Sequence, residues 1–112
     1  MTEWTDVAPA ADFGPGQARL IDVSGAQIAV INLEGQYYAL EDACTHDGWP
    51  LLGCGLKPEE VMEGEQLVCP RHGARFCIRT GAALTPPAYE PLHCFPVRVN
   101  DGMVQIRDDR GP

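Results

Sequence analysis

The chain carries 12 glycines and 10 prolines in 112 residues, spread so that its apolar stretches are cut into short pieces. Proline removes a backbone donor and breaks helix interiors, and glycine weakens regular structure, so this punctuation favours short strands joined by turns. "RLIDVSG", "QIAVINLEG", "QYYALED", "EQLVC", "RFCIRTG", "FPVRVNDG" and "MVQIRDD" each read as four to seven residues of strand. Val, Ile, Tyr and Phe dominate these runs, and turn residues close them. "VNDGMV" predicts a tight hairpin in which Asp101-Gly102 supplies two positive φ angles, and "NLEGQYY" predicts a second around Gly35. Only "LKPEEVMEG" has helical character: Pro58 suits a first turn and Glu59 and Glu60 complement a helix N-terminus, in one turn or an irregular loop. No repeat or linker divides the chain. The expectation is one all-β domain over residues 1–112, a small sandwich or partly open barrel of about seven to ten strands. Function on such a scaffold belongs in its loops.

Two of those loops pair a thiol with an imidazole. "CTHDGWP" holds Cys44 and His46; with 22 residues between His46 and Cys69, "CPRHGARF" holds Cys69 and His72. The chain has only three histidines, and two of them follow a cysteine as C-x-H or C-x2-H, which is a pattern rather than an accident; His93, adjacent to Cys94, has neither arrangement. Two thiolates and two imidazoles satisfy a tetrahedral zinc ion. They equally satisfy a two-iron, two-sulfide cluster with both cysteines on one iron and both histidines on the other. Zinc knuckles usually pair like ligands, whereas each loop here offers one of each. A chain of this length buries a modest core, which a metal centre would help to stabilise.

Sixteen acidic and eight basic residues leave a formal net charge of −8. That charge repels nucleic acid and anionic membrane surfaces, and it suits docking on a basic protein patch or simple solubility. "MTEWTDVAPAADFGPG" has no basic, apolar leader pattern, and no stretch reaches the roughly 18 apolar residues of a bilayer span. A cytoplasmic, reducing environment is therefore expected, and the five cysteines read as ligands or thiols rather than as a disulfide framework.

"CTH" followed by "CPRHG" resembles the ligand signature of Rieske iron–sulfur proteins. "RTGAALTPPAYEPL" and "FPVRV" are similar to the proline loop and following strand of Rieske-type ferredoxins, and the likeness runs from a strand near Trp4 to Arg107. The resemblance implies a cluster-binding subdomain, about residues 43–88, made of two ligand loops on the β scaffold. Cys44 and Cys69 would hold one iron of a [2Fe-2S] cluster, and His46 and His72 the other. Two ferric ions, two sulfides and two thiolates sum to zero charge, so histidine ligation raises the potential above that of four-cysteine clusters.

The same resemblance indicates the redox branch. High-potential relatives carry an additional disulfide between the ligand loops; Trp49 and Arg71 stand at those positions here. Those relatives also donate Ser and Tyr hydroxyls to cluster sulfurs, where this chain has Ala74 and Phe76. A potential near the low end of the range, about −150 mV, follows. Every iron position is filled, so the implied role is one-electron transfer rather than catalysis. The leading reading is a soluble ferredoxin between an NAD(P)H-dependent flavoprotein reductase and a ring-hydroxylating terminal oxygenase. The alternatives are a small subunit of an assimilatory nitrite reductase and a structural zinc module. The chain is too short to include the oxygenase's own mononuclear iron domain.

The remaining features have bland readings beside functional ones. Cys77 and Cys94 read as small buried hydrophobes, Cys54 as a structural or exposed thiol, and His93 as a surface or strand histidine. Trp49, Pro50, Leu51 and Phe76 are either a shield over the cluster or core. Pro86 and Pro87 are either the family's proline loop or a rigid turn. "GCGLKPEEVMEG" lengthens the segment between the ligand pairs, and would lie beside the cluster tip.

Overall fold

The structure, a computed structural model, describes residues 4–23, 25–43, 50–51, 58–69, 73–86 and 90–109. Among the described residues the chain forms ten strands in three antiparallel sheets. The middle sheet contains β2 (Ala18–Val23), β3 (Ala26–Leu33), β4 (Gln36–Glu41) and β8 (Cys94–Phe95) in that order. A second sheet orders β1 (Thr5–Pro9), β10 (Met103–Ile106) and β9 (Val97–Asn100) as β1-β10-β9. A third contains β5 (Met62–Glu63), β6 (Gln66–Val68) and β7 (Arg75–Cys77). Helical structure among the described residues is limited to one turn, α1 (Pro58–Val61), and a 3-10 turn at Ala10–Asp12. The all-β expectation holds, with three sheets rather than a closed barrel.

β3 explains the layering. Its residues 28–33 are all buried, whereas a strand with one wet face would alternate. Ile28 and Val30 join Phe13, Ala39, Phe95, Val104 and Ile106 in one core, facing the β1-β10-β9 sheet. Ile31 and Leu33 join Leu40, Leu51, Leu67, Phe76, Ile78 and Leu92 in another, facing the β5-β6-β7 sheet. Successive side chains of a strand point to opposite faces, so one apolar run, broken at a single residue, serves both cores. The exception in the run is Asn32, which donates from Nδ2 to the Phe13 carbonyl at 2.8 Å and accepts from the Gly35 N–H at 2.8 Å. Its buried amide is thus satisfied while it closes the β3–β4 turn.

Both expected hairpins form, with φ of 55° at Glu34 and 93° at Gly35, and 51° at Asp101 and 77° at Gly102. These are the two positive angles that match the twist of the flanking strands. Other expectations change. "RFCIRTG" keeps strand structure only to Cys77, because Ile78–Thr80 turn and the Gly81 N–H bonds the Cys77 carbonyl at 2.7 Å. "FPVRVNDG" is split at Pro96, which has no N–H to give to a ladder, so β8 and β9 join different sheets. β1 was not legible as an apolar run; "TDVAP" becomes a strand by pairing with β10 across a bulge between Asp6 and Ala8.

Candidate metal centre

Of the four expected ligands, Cys69 lies among the described residues; Cys44, His46 and His72 lie outside them. What the structure shows is how the segments bearing the ligands are anchored. The first ligand loop leaves β4 at Asp42 and returns at Leu51. Asp42 is buried, and its Oδ1 accepts the Leu51 N–H at 3.1 Å, while its own N–H bonds the Gln27 carbonyl at 3.0 Å. The preceding Glu41 N–H bonds the His93 carbonyl at 2.9 Å. One carboxylate therefore ties the two ends of the loop together.

The second ligand loop joins β6 to β7. The Cys69 N–H donates to the Ala74 carbonyl at 2.7 Å, and the Gly73 N–H donates back to the Cys69 carbonyl at 2.9 Å. Gly73 has a φ of 76°, the left-handed conformation that lets the chain reverse so tightly. Cys69 is 1% exposed and belongs to the same core as Leu51, Ala74 and Phe76. Its sulfur is thus presented from a packed base rather than from a free surface.

A third segment is tied to the second. The Leu84 N–H bonds the Arg75 carbonyl at 2.8 Å, the Thr85 hydroxyl accepts the Arg75 N–H at 3.0 Å, and Phe76 forms an isolated bridge with Ala83. Pro86 follows, exposed; Pro87 lies outside the described residues. Leu51, Cys69 and Phe76 are core residues, with Ala83 packed against them, so the bases of all three segments rest on one apolar cluster. That shared base could hold two pairs of ligands in fixed register.

Leu51 and Phe76, ambiguous in the sequence, are both fully buried core. Ala74 and Phe76 are buried without hydroxyls, so neither position offers the hydrogen bond that would stabilise added negative charge. Trp49, Arg71 and Cys54 lie outside the described residues. His93 is the surface histidine expected; its Nε2 meets Asp109 at 3.0 Å and its ring packs edge-on to Phe95. Cys77 and Cys94 correct the sequence reading: Cys77 is half-buried and Cys94 exposed, because the turn after Cys77 and the short β8 place both near the surface. Asp42 and Thr85 were missed. The available signal was a carboxylate at the edge of a Gly/Pro-rich loop, and a threonine directly before the proline pair.

A donor set of two thiols and two imidazoles, on two loops over a common base, fits a Rieske-type cluster. The family profile of the Rieske [2Fe-2S] domain matches residues 3–96. The chain is 39% identical over 98 residues to the 3-phenylpropionate/cinnamic acid dioxygenase ferredoxin subunit of Shigella flexneri serotype 5b (strain 8401), covering 88% of this chain and 87% of that protein. It is 31% identical over 96 residues to the biphenyl dioxygenase ferredoxin subunit of Pseudomonas sp. (strain KKS102), covering 86% and 84%. A solved structure described as a complex of reduced oxygenase and oxidized ferredoxin in carbazole 1,9a-dioxygenase contains a chain that superposes with a TM-score of 0.79 at 36% identity, over 92% of this chain and 91% of that one. With the family profile, the scaffold and the relatives in agreement, the chain belongs to the Rieske [2Fe-2S] domain family.

Proposed function

We propose that this protein is a low-potential Rieske ferredoxin, passing single electrons from an NAD(P)H-dependent flavoprotein reductase to a ring-hydroxylating terminal oxygenase in the cytoplasm. The observation that carries the reading is the likeness, over most of both chains, to proteins named as ferredoxin subunits of aromatic dioxygenases. When bound, the cluster supplies one-electron redox chemistry. The chain's own residues do the rest. Cys44 and Cys69 hold one iron and His46 and His72 the other. Asp42 and the Cys69–Ala74 pairing fix the loops that carry them, and the Leu51–Phe76 core excludes water from beneath. The whole of residues 1–112 acts as one unit, with its cluster-binding part at about 43–88. The zinc alternative falls with membership of the family, and no observation favours a nitrite reductase subunit.

A spectroelectrochemical titration tests this. One electron per protein and a midpoint near −150 mV are expected; a midpoint above roughly +100 mV, inside the upper Rieske range, overturns the low-potential assignment. His46→Cys and Cys69→Ala are each expected to abolish the native spectrum, and survival of the spectrum in either removes that residue from the ligand set.

A further inference from the structure

Cys77 and Cys94 have no part in holding the cluster, and both reach the surface. They belong to different sheets: Cys77 ends β7, which leaves the second ligand loop, and Cys94 starts β8, on the middle sheet. Gly81 brings the two segments together. Its N–H bonds the Cys77 carbonyl at 2.7 Å, and its carbonyl accepts the Leu92 N–H at 2.7 Å. A Cβ on Gly81 would overlap the Leu92 carbonyl and lie 3.0 Å from Cys94 Sγ, so the Cys94 sulfur faces the turn that Cys77 begins. Cys94 also lines an open cavity of about 240 Å³ with Tyr37, Tyr38, Ile78 and Arg79, so its side of the turn is open to solvent, and Cys77 is half-buried at the other end of that turn.

The two thiols differ chemically. The Thr80 hydroxyl donates to Cys77 and holds its thiol below the usual value; burial opposes this, and the backbone N–H groups of Thr80 and Arg79 reinforce it. Although Cys94 as a residue is exposed, its sulfur is partly buried, and this pushes its thiol up, with the neighbouring Cys77 adding to the shift. A thiol whose ionised form is favoured, on a turn faced by a second thiol held toward its neutral form, differs from a pair of equivalent cysteines.

We propose that Cys77 and Cys94 form a modification site for low-molecular-weight disulfides, with Cys77 attacking and Cys94 resolving. The Cys77 thiolate attacks one sulfur of the small disulfide; that S–S bond breaks, a mixed disulfide forms on Cys77, and one small thiolate leaves. Cys94 then attacks the Cys77 sulfur, transferring its proton to the departing second small thiol and closing a Cys77–Cys94 bond. Two protein thiols are oxidised and one small disulfide is reduced to two thiols. The new bond would staple the cluster-bearing β7 to the middle sheet.

The cluster-loaded protein is to be treated with oxidised glutathione while its visible spectrum is followed, so that ligand thiols remain committed to iron, and then mapped by mass spectrometry of proteolytic fragments. Wild type is expected to yield the Cys77–Cys94 cross-link. Cys94→Ser is expected to stop at the mixed disulfide on Cys77, and Cys77→Ser to react at Cys94 at least about tenfold more slowly than wild type reacts at Cys77. An unmodified Cys77 in wild type, a wild-type mixed disulfide that accumulates as in Cys94→Ser, or an undiminished rate at Cys94 in Cys77→Ser would each overturn the assignment.

Discussion

Asp42 has more influence on the first ligand loop than its place outside the ligand motif implies. Its buried carboxylate accepts the Leu51 N–H, and truncating it leaves a buried donor without that acceptor. Asp42→Ala is expected to cost about 1–3 kcal/mol, read as a lower denaturant midpoint and faster loss of cluster absorbance. Asp42→Asn, which keeps an acceptor oxygen, should recover much of the loss; equal damage from both would remove the hydrogen bond as the cause. Phe76 acts through packing, being fully buried beneath the second loop and the Ala83 bridge. Phe76→Ala should cost about 3–5 kcal/mol, again by denaturation. The two free thiols set opposite pH trends. Cys77, with its folded pKa lowered mainly by Thr80, contributes stability that is present above the ordinary thiol value and lost as pH falls through the lowered one. Cys94, raised mainly by burial, contributes stability that is present below the ordinary value and lost as pH rises through the raised one. Above the ordinary thiol value, Cys94→Ser should therefore flatten part of the alkaline loss of stability, and an unchanged slope would dismiss Cys94 as its source.

At the scale of elements, the turns carry the most local strain. Glu34 has a φ of 55°, a conformation that costs most L-residues about 1–2 kcal/mol and asparagine less. Glu34→Asn is expected to raise stability by roughly 0.5 kcal/mol or more, since the Glu34 contact with Arg79 at 3.6 Å is exposed and Arg79 keeps Glu65 and Tyr38 as partners. A decrease in melting temperature would contradict this. Gly81 is the opposite case. Its φ of 78° and the position of the Leu92 carbonyl leave no place for a methyl group. Gly81→Ala should destabilise by at least about 2 kcal/mol.

At the scale of the whole molecule, three antiparallel sheets put the two cores on opposite faces of β3 and β4, and the ligand-bearing loops share only the core facing β5-β6-β7. The other sheet, β1-β10-β9, completes the second core and closes the far side. With a net charge of −8, association with a basic partner surface should be steered over a Debye length of about 8 Å at physiological salt. The rate of reduction by the proposed flavoprotein reductase is expected to fall as ionic strength rises, measured by stopped-flow absorbance; a flat dependence would exclude steering.

Sequence alone determined the local chemistry and the local backbone. The proposed donor set, two thiol–imidazole pairs spaced to sit in separate loops, depends only on residue types and separation. Asp101-Gly102 and Glu34-Gly35 specify hairpins because a two-residue turn is a local problem. Tertiary structure decided which groups meet across long separations. β1 is a strand only because β10 is there to pair with it, and Asp42 is a loop clamp only because Leu51 returns to it. The surface position of Cys77 and Cys94 likewise depends on where the Ile78–Gly81 turn and β8 come to rest. Small apolar thiols are buried or exposed by what packs against them, and nothing in "RFCIRTG" or "LHCFP" encodes that neighbour.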